Sequence, residues 1–253
     1  KNYIPTGLKE MFSVKTSSSE IPASIFVTAR GATGKSAFAD FASRVIGAPL
    51  WRTDIDSALG AFSLEHKLTR YVQKVDVQRE INTLQNPIVI VDALDEAEVR
   101  VSAQSWNEFK DSLVQFARLG IRFLICGRDL ASFDVMARFE EDQLTFTSYE
   151  LQTFDLEQRR QFIDSSYQAQ EHSTPISSSH YQNARDAVLQ NLTFDVGGDL
   201  EDEFAGYAPV LQAVATQLSG ENNLSARVSR DKTSDIRQVL SEIRNIVETI
   251  LDR

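Results

Sequence analysis

Residues 24–36 read SIFVTARGATGKS, and the way this stretch folds decides the rest of the chain. Ile25, Phe26, Val27 and Thr28 are β-branched or aromatic, the composition of a buried strand. A run of small residues follows and closes on Gly34-Lys35-Ser36. Beyond it Ala37, Phe38, Phe41, Ala42, Val45 and Ile46 recur at helical spacing as far as Gly47, with Pro49 two residues on. Strand, small-residue loop ending in GK[ST], and helix are together the context of a phosphate-binding loop. The chemistry accounts for the residue types. Small residues let successive backbone N–H groups curl around a phosphate at a helix N-terminus, a lysine reaches the outer phosphates, and the hydroxyl binds Mg²⁺. On this reading Arg30, Gly31, Ala32, Thr33, Gly34, Lys35, Ser36 and Ala37 cradle the nucleotide, Lys35 also serves catalysis, and Ser36 is a metal ligand. The usual pattern G-x-x-x-x-G-K-[ST] begins with glycine, where this chain has Ala29. Alanine costs little there if the backbone does not need positive φ. Taken alone, the stretch also fits a glycine-containing turn before a helix, with GKS arising by chance.

A second stretch bears on that choice. Residues 88–98, IVIVDALDEAE, follow Pro87 with four aliphatic residues, which suits a parallel strand buried on both faces. In an open parallel sheet, ligands bind beyond the carboxyl ends of the strands, which places Asp92 beside the loop after the first strand. An acid there holds Mg²⁺, and Asp95 or Glu96 can orient or deprotonate an attacking water. A helix N-cap would account for one of these acids, but three in five residues exceed what a cap needs. The run Ile121–Cys126 predicts another buried strand ending at Gly127-Arg128-Asp129. Arg128 then stands on the same edge as Lys35 and Asp92. Its functional reading is a sensor of the terminal phosphate, and its plain reading is a surface arginine or a partner for Asp129. Trp106, Phe109, Leu113 and Phe116 share one face of a helix near 105–119 and belong to the core. Cys126 reads as a small buried hydrophobe.

Composition limits the rest. The chain has 253 residues, 42% of them hydrophobic and 25% charged, enough for a core domain and a smaller second one. A single cysteine excludes an internal disulfide framework and fits a reducing, cytoplasmic setting. A net charge of −10 argues against general nucleic-acid binding, which draws on Lys and Arg, and no apolar run is long enough for a membrane span. Residues 1–20 read as a lead-in with a flexible join at 15–20, residues 21–149 as the α/β domain, and 150–253 as a helical domain. Short strands are expected at Pro49–Arg52 and Leu144–Phe146, and helices over Ile55–Leu84 and 130–140. In the last part, FDLEQRRQFIDSSY at 154–167 predicts a helix capped by Asp155, with Leu156, Phe162, Ile163 and Tyr167 as its apolar positions. His172 and His180 fall in a polar loop without accompanying acids or cysteines, so they read as exposed rather than as metal ligands. Helices follow near 181–191 and from Pro209 to Leu218, with a turn at Gly197-Gly198 between them. A long apolar stripe over Thr233–Asp252 then reads as packing within the helical domain and leading onward, so the chain is expected to be a piece of a longer protein.

These residues together resemble the STAND class of P-loop ATPases, in particular its NACHT-like branch. The resemblance rests on RGATGKS at 30–36, IVIVDALDEAE at 88–98, RFLICGRD at 122–129, FDLEQRRQFI at 154–163 and Tyr207-Ala208-Pro209-Val210-Leu211. It implies a P-loop parallel sheet flanked by helices and followed by a small all-helical lid, binding ATP or ADP with Mg²⁺ held at Ser36 and Asp92. It further implies that Pro209 lies against the adenine, a position equally suited to the first turn of a helix. Tyr3-Ile4-Pro5 resembles the lead-in that passes near the base. The family works as a switch in which nucleotide controls conformation and self-association, together with other domains of the parent chain. In bacterial relatives the output is often antiviral defence. Lys35, Asp95, Glu96 and Arg128 are then the catalytic set of a slow ATPase. An AAA+ motor, a P-loop kinase and a scaffold with a degenerate loop are the alternatives.

Overall fold

The computed structural model describes residues 3–14, 21–31, 33–55, 59–72, 87–170, 174–194 and 205–220. Ala32, the joining stretch 15–20, His172, the turn at Gly197-Gly198, the stretch 73–84 of the expected Ile55–Leu84 helix, and the helix expected over Thr233–Asp252 lie outside the described residues. Two compact units emerge, Leu8–Arg30 with Gly34–Gln152, and Lys1–Gly7 with Gly31–Thr33 and Thr153–Arg253.

The first unit is a six-stranded sheet of β1 (Leu8–Val14), β2 (Ser24–Thr28), β3 (Leu50–Arg52), β4 (Ile88–Asp92), β5 (Arg122–Gly127) and β6 (Phe146–Leu151). Their order across the sheet is β1-β6-β2-β5-β4-β3, parallel throughout except for β1, which runs antiparallel to β6. The helices are α1 (Lys35–Ile46), α2 (Ser63–Val72), α3 (Leu94–Glu98), α4 (Ala103–Arg118) and α5 (Asp129–Glu141). Successive residues of each central strand face opposite cores, as the two-residue period requires. Phe26, Val89, Val91, Phe123 and Ile125 pack with α2, α4 and α5, whereas Val27, Ile90, Leu124 and Cys126 pack with Ala39 and Ala42 of α1. A strand covered on both faces must be apolar at every position, which explains the unbroken aliphatic run at 88–91. Trp106, Phe109, Leu113 and Phe116 all lie in the larger of these cores.

Some expectations are corrected. Residues 8–14 form the edge strand β1 rather than part of a lead-in, although almost every side chain in it is exposed. Its place depends on backbone pairing with β6 and on Phe12, whose ring meets Phe146 edge-on with centroids 6.0 Å apart. The strand expected at Leu144–Phe146 begins only at Phe146 and runs to Leu151. Val45 and Ile46, expected to continue the apolar face of α1, are exposed. Residue 55 lies in a turn, and the described part of the Ile55–Leu84 segment is helical only over Ser63–Val72. No helix among the described residues is long and apolar enough to cross a membrane.

The second unit is helical, with α6 (Leu156–Gln168), α7 (Ser179–Phe194) and α8 (Ala208–Gly220). Asp155 caps α6 in a full capping box: its side chain accepts from the Gln158 N–H at 2.9 Å, and the Gln158 Oε1 accepts from the Asp155 N–H at 2.9 Å. Ile163 and Tyr167 are buried, but Leu156 is exposed, so the apolar face begins later than the pattern suggests. His180 is in the first turn of α7 rather than in a loop, and its side chain is exposed as expected. Arg185 of α7 forks onto Asp164 of α6 at 2.7 Å and onto its neighbour Asp186 at 2.9 Å. Ile4 packs onto this helical core, and Pro5 accepts a hydrogen bond from Gln158 Nε2 at 2.7 Å.

Candidate functional site

The strand order places the ends of β2, β5 and β4 side by side. Thr28 pairs with Gly127, and the Ala29 N–H continues the ladder onto the Gly127 carbonyl at 3.4 Å. Ala29 is buried and its φ is not positive, so the departure from the usual glycine leaves the backbone unstrained. Gly34 is different. Its φ of 95° lies in the left-handed region that glycine enters freely, and from there the chain turns into α1. No side chain caps α1, so the first N–H groups of the helix are left to whatever lies beyond them.

The Lys35 ammonium bends back over the loop and donates to the carbonyls of Ala29 and Arg30, each at 3.1 Å. Burial holds its pKa below the ordinary value. The Asp95 charge opposes that shift, Arg128 adds to it, and Glu96 and Asp92 oppose it more weakly. Lys35 therefore stands within electrostatic reach of all four charged residues expected on this edge. The Ser36 hydroxyl lies near the Asp92 carboxylate and favours its charged form, which brings the loop to the end of β4. Asp92 is only 2% exposed, and burial raises its pKa against the pull of the neighbouring Ser36 hydroxyl and Ala93 backbone. Its Oδ1 is buried without a hydrogen-bond partner among the described residues. A buried carboxylate oxygen with spare acceptor capacity beside a hydroxyl is a hard-oxygen donor pair that suits Mg²⁺. No three His, Cys, Asp or Glu side chains converge as a self-sufficient metal cage among the described residues. A divalent cation held by Ser36 and Asp92 would therefore complete its shell with phosphate and water oxygens, as Mg²⁺ commonly does.

The acids after Asp92 separate in role. Ala93 caps α3 in the left-handed region, at φ 65°, so neither Asp92 nor Asp95 is the N-cap. Asp95 accepts the Arg128 backbone N–H at 3.1 Å and pairs with Arg128 Nε at 2.9 Å. Arg128 thus partners Asp95 rather than Asp129. Glu96 is exposed, and its pKa is raised by partial burial of the carboxyl group and then by the neighbouring Asp95 charge. Ala37 and Arg30 are exposed, Gly31 is half-buried and Thr33 buried, while Pro209 is half-buried at the second position of α8.

One supporting residue escapes the sequence pattern. Thr53, directly after β3, is buried, and its hydroxyl donates to the carbonyls of Asp92 at 2.7 Å and Ala93 at 2.9 Å. It holds the left-handed bend that follows the acid. Its only signal in the sequence is a threonine directly after a short strand, which is common in proteins.

No family model matches the sequence, and the comparison with curated proteins returns no match. Among solved structures, the Walker-type ATPase PABY2304 of Pyrococcus abyssi aligns with a TM-score of 0.51 at 12% identity, over 91% of this chain and 70% of that one. The FIGL-1 AAA domain in complex with ADP aligns over 90% of this chain and 72% of its own at 14% identity, with a TM-score of 0.43, too low to carry weight. The fold is that of the P-loop NTPases: a mostly parallel sheet flanked by helices, with the glycine-lysine-serine loop and the acid-ended strand on one edge.

Proposed function

We propose that this chain is the ATP–Mg²⁺-binding and slowly hydrolysing switch module of a STAND or NACHT-like signalling protein. The observation that carries the nucleotide reading is the junction of two distant motifs: Ser36 of the loop stands close enough to Asp92 of the acidic strand to pull its pKa down, while Lys35 lies over the same loop. Ser36 and Asp92 would hold Mg²⁺, which supplies charge neutralisation at the phosphates. Lys35 would exchange its two carbonyl partners for phosphate oxygens. Arg128 would meet the terminal phosphate, and Glu96 would orient the attacking water. Pro209, with residues 30–37, is assigned to holding the nucleotide by resemblance. Nucleotide-controlled conformational change, self-association, attachment to further domains and a place in antiviral defence rest on that resemblance alone.

Calorimetry with ATP and ADP, each with and without Mg²⁺, tests the proposal. Binding strengthened by Mg²⁺ is expected, and Lys35→Ala should abolish tight binding because it removes the ammonium that reaches the outer phosphates. Unchanged affinity in that variant would sink the phosphate-loop assignment.

A further inference from the structure

Asp95 and Glu96 are adjacent in sequence, and either could serve a bound nucleotide as the acid beside the attacking water. Their surroundings differ. The Asp95 side chain is 15% exposed and grips Arg128 at two points, the backbone N–H through Oδ1 and the guanidinium Nε through Oδ2. Arg128 is extended, with φ −81° and ψ 165°, and its side chain is 61% exposed. The carboxylate comes nearest the guanidinium at Nε, its inner edge, and the terminal Nη fork makes no hydrogen bond among the described residues. That outer fork is the geometry that binds phosphate oxygens in pairs. The backbone enforces the arrangement. A Cβ on Gly127 would sit 2.8 Å from Ser132 Oγ and 3.0 Å from Leu94 Cβ, so the end of β5 lies flush against α3 and brings the Arg128 N–H to Asp95.

We infer that Asp95 is a positioning residue, which orients Arg128 toward the terminal phosphate of a triphosphate and so sets the preference for ATP over ADP. It rests on the nucleotide reading above. A carboxylate with one oxygen on a backbone N–H and the other against a guanidinium has less acceptor capacity left to orient a water. Glu96, outside that ion pair, keeps the water-orienting role.

The test is a double-variant cycle read by calorimetry with Mg²⁺, comparing ADP with a non-hydrolysable imido analogue of ATP. Asp95→Asn and Arg128→Ala should each reduce the preference for the triphosphate by about tenfold, the scale of one charge-assisted hydrogen bond. ADP affinity should stay at the parent value, and the double variant should lose no more than either single one. Arg128→Lys keeps the charge but lacks Nε, so it should behave like Arg128→Ala; since Arg128 is exposed, both variants should fold. In the ligand-free protein, the Arg128 Nε–H resonance should shift in Asp95→Asn. Losses that add in the double variant would overturn the proposal while leaving the nucleotide site standing. So would an Asp95→Asn protein that keeps its preference but hydrolyses as slowly as Glu96→Gln. A parent protein that binds neither nucleotide would overturn both readings.

Discussion

Asp92 is almost wholly buried, lies near the Ser36 hydroxyl, and keeps Oδ1 without a partner among the described residues. Burial raises its pKa, so over the interval between the unfolded and folded values the native state binds more protons than the unfolded chain. Stability therefore falls as pH rises through that interval. Asp92→Asn should raise the ligand-free unfolding midpoint at neutral pH, and the gain should vanish as pH drops below the ordinary aspartate value of 3.8. The same variant should lose Mg²⁺ dependence of nucleotide binding; urea titrations across the acid range and calorimetry read the two effects. Thr53→Val keeps the shape but removes the hydroxyl from two buried carbonyls, and should destabilise by about 1–3 kcal/mol in a urea titration. Glu96→Gln should slow hydrolysis far more than it weakens binding, because a water-orienting acid acts mainly in the transition state; single-turnover kinetics separates the two.

At the scale of elements, caps and strand ends tie local sequence to tertiary position. The Asp155 cap at the start of α6 was legible because an acid stands directly before a helical apolar pattern; that Gln158 completes a capping box only the structure shows. Asp155→Ala should cost about 1 kcal/mol, measured by thermal unfolding. Gln158 has a second task that no local pattern reveals, since its Nε2 donates to Pro5. Gln158→Ala should therefore speed amide exchange over residues 3–7 as well as at the helix start, and hydrogen exchange would show both. β1 is the converse case. LKEMFSV carries charges at Lys9 and Glu10 and exposes Met11, so neither alternation nor burial marks it as a strand. It exists because β6 offers an unpaired edge, and pairing there satisfies backbone groups irrespective of side chain.

For the whole molecule, a nucleotide that binds only the folded state should stabilise it by about 2.7 kcal/mol at a hundredfold excess over its Kd, and Lys35→Ala should remove the effect. If the proposed ATPase reading holds, turnover should remain slow, since an arginine supplied by a neighbour contributes about 10³–10⁵ in rate to P-loop NTPases that use one. Fast turnover independent of protein concentration would favour a motor instead. The parallel α/β sheet, the loop at 30–36 and the acids after β4 were readable from sequence because each depends on short-range chemistry: apolar runs for strands covered on both faces, small residues around a lysine, and acids where a strand stops. Tertiary structure alone decided that β5 lies between β2 and β4, so that Arg128 comes to Asp95 rather than to its neighbour Asp129. It also decided that Ala29 is harmless and that Thr53 supports Asp92, 39 residues away. Residue type and spacing carry the chemistry of a segment, but which segments become neighbours depends on strand order and burial, set by the packing of the whole sheet.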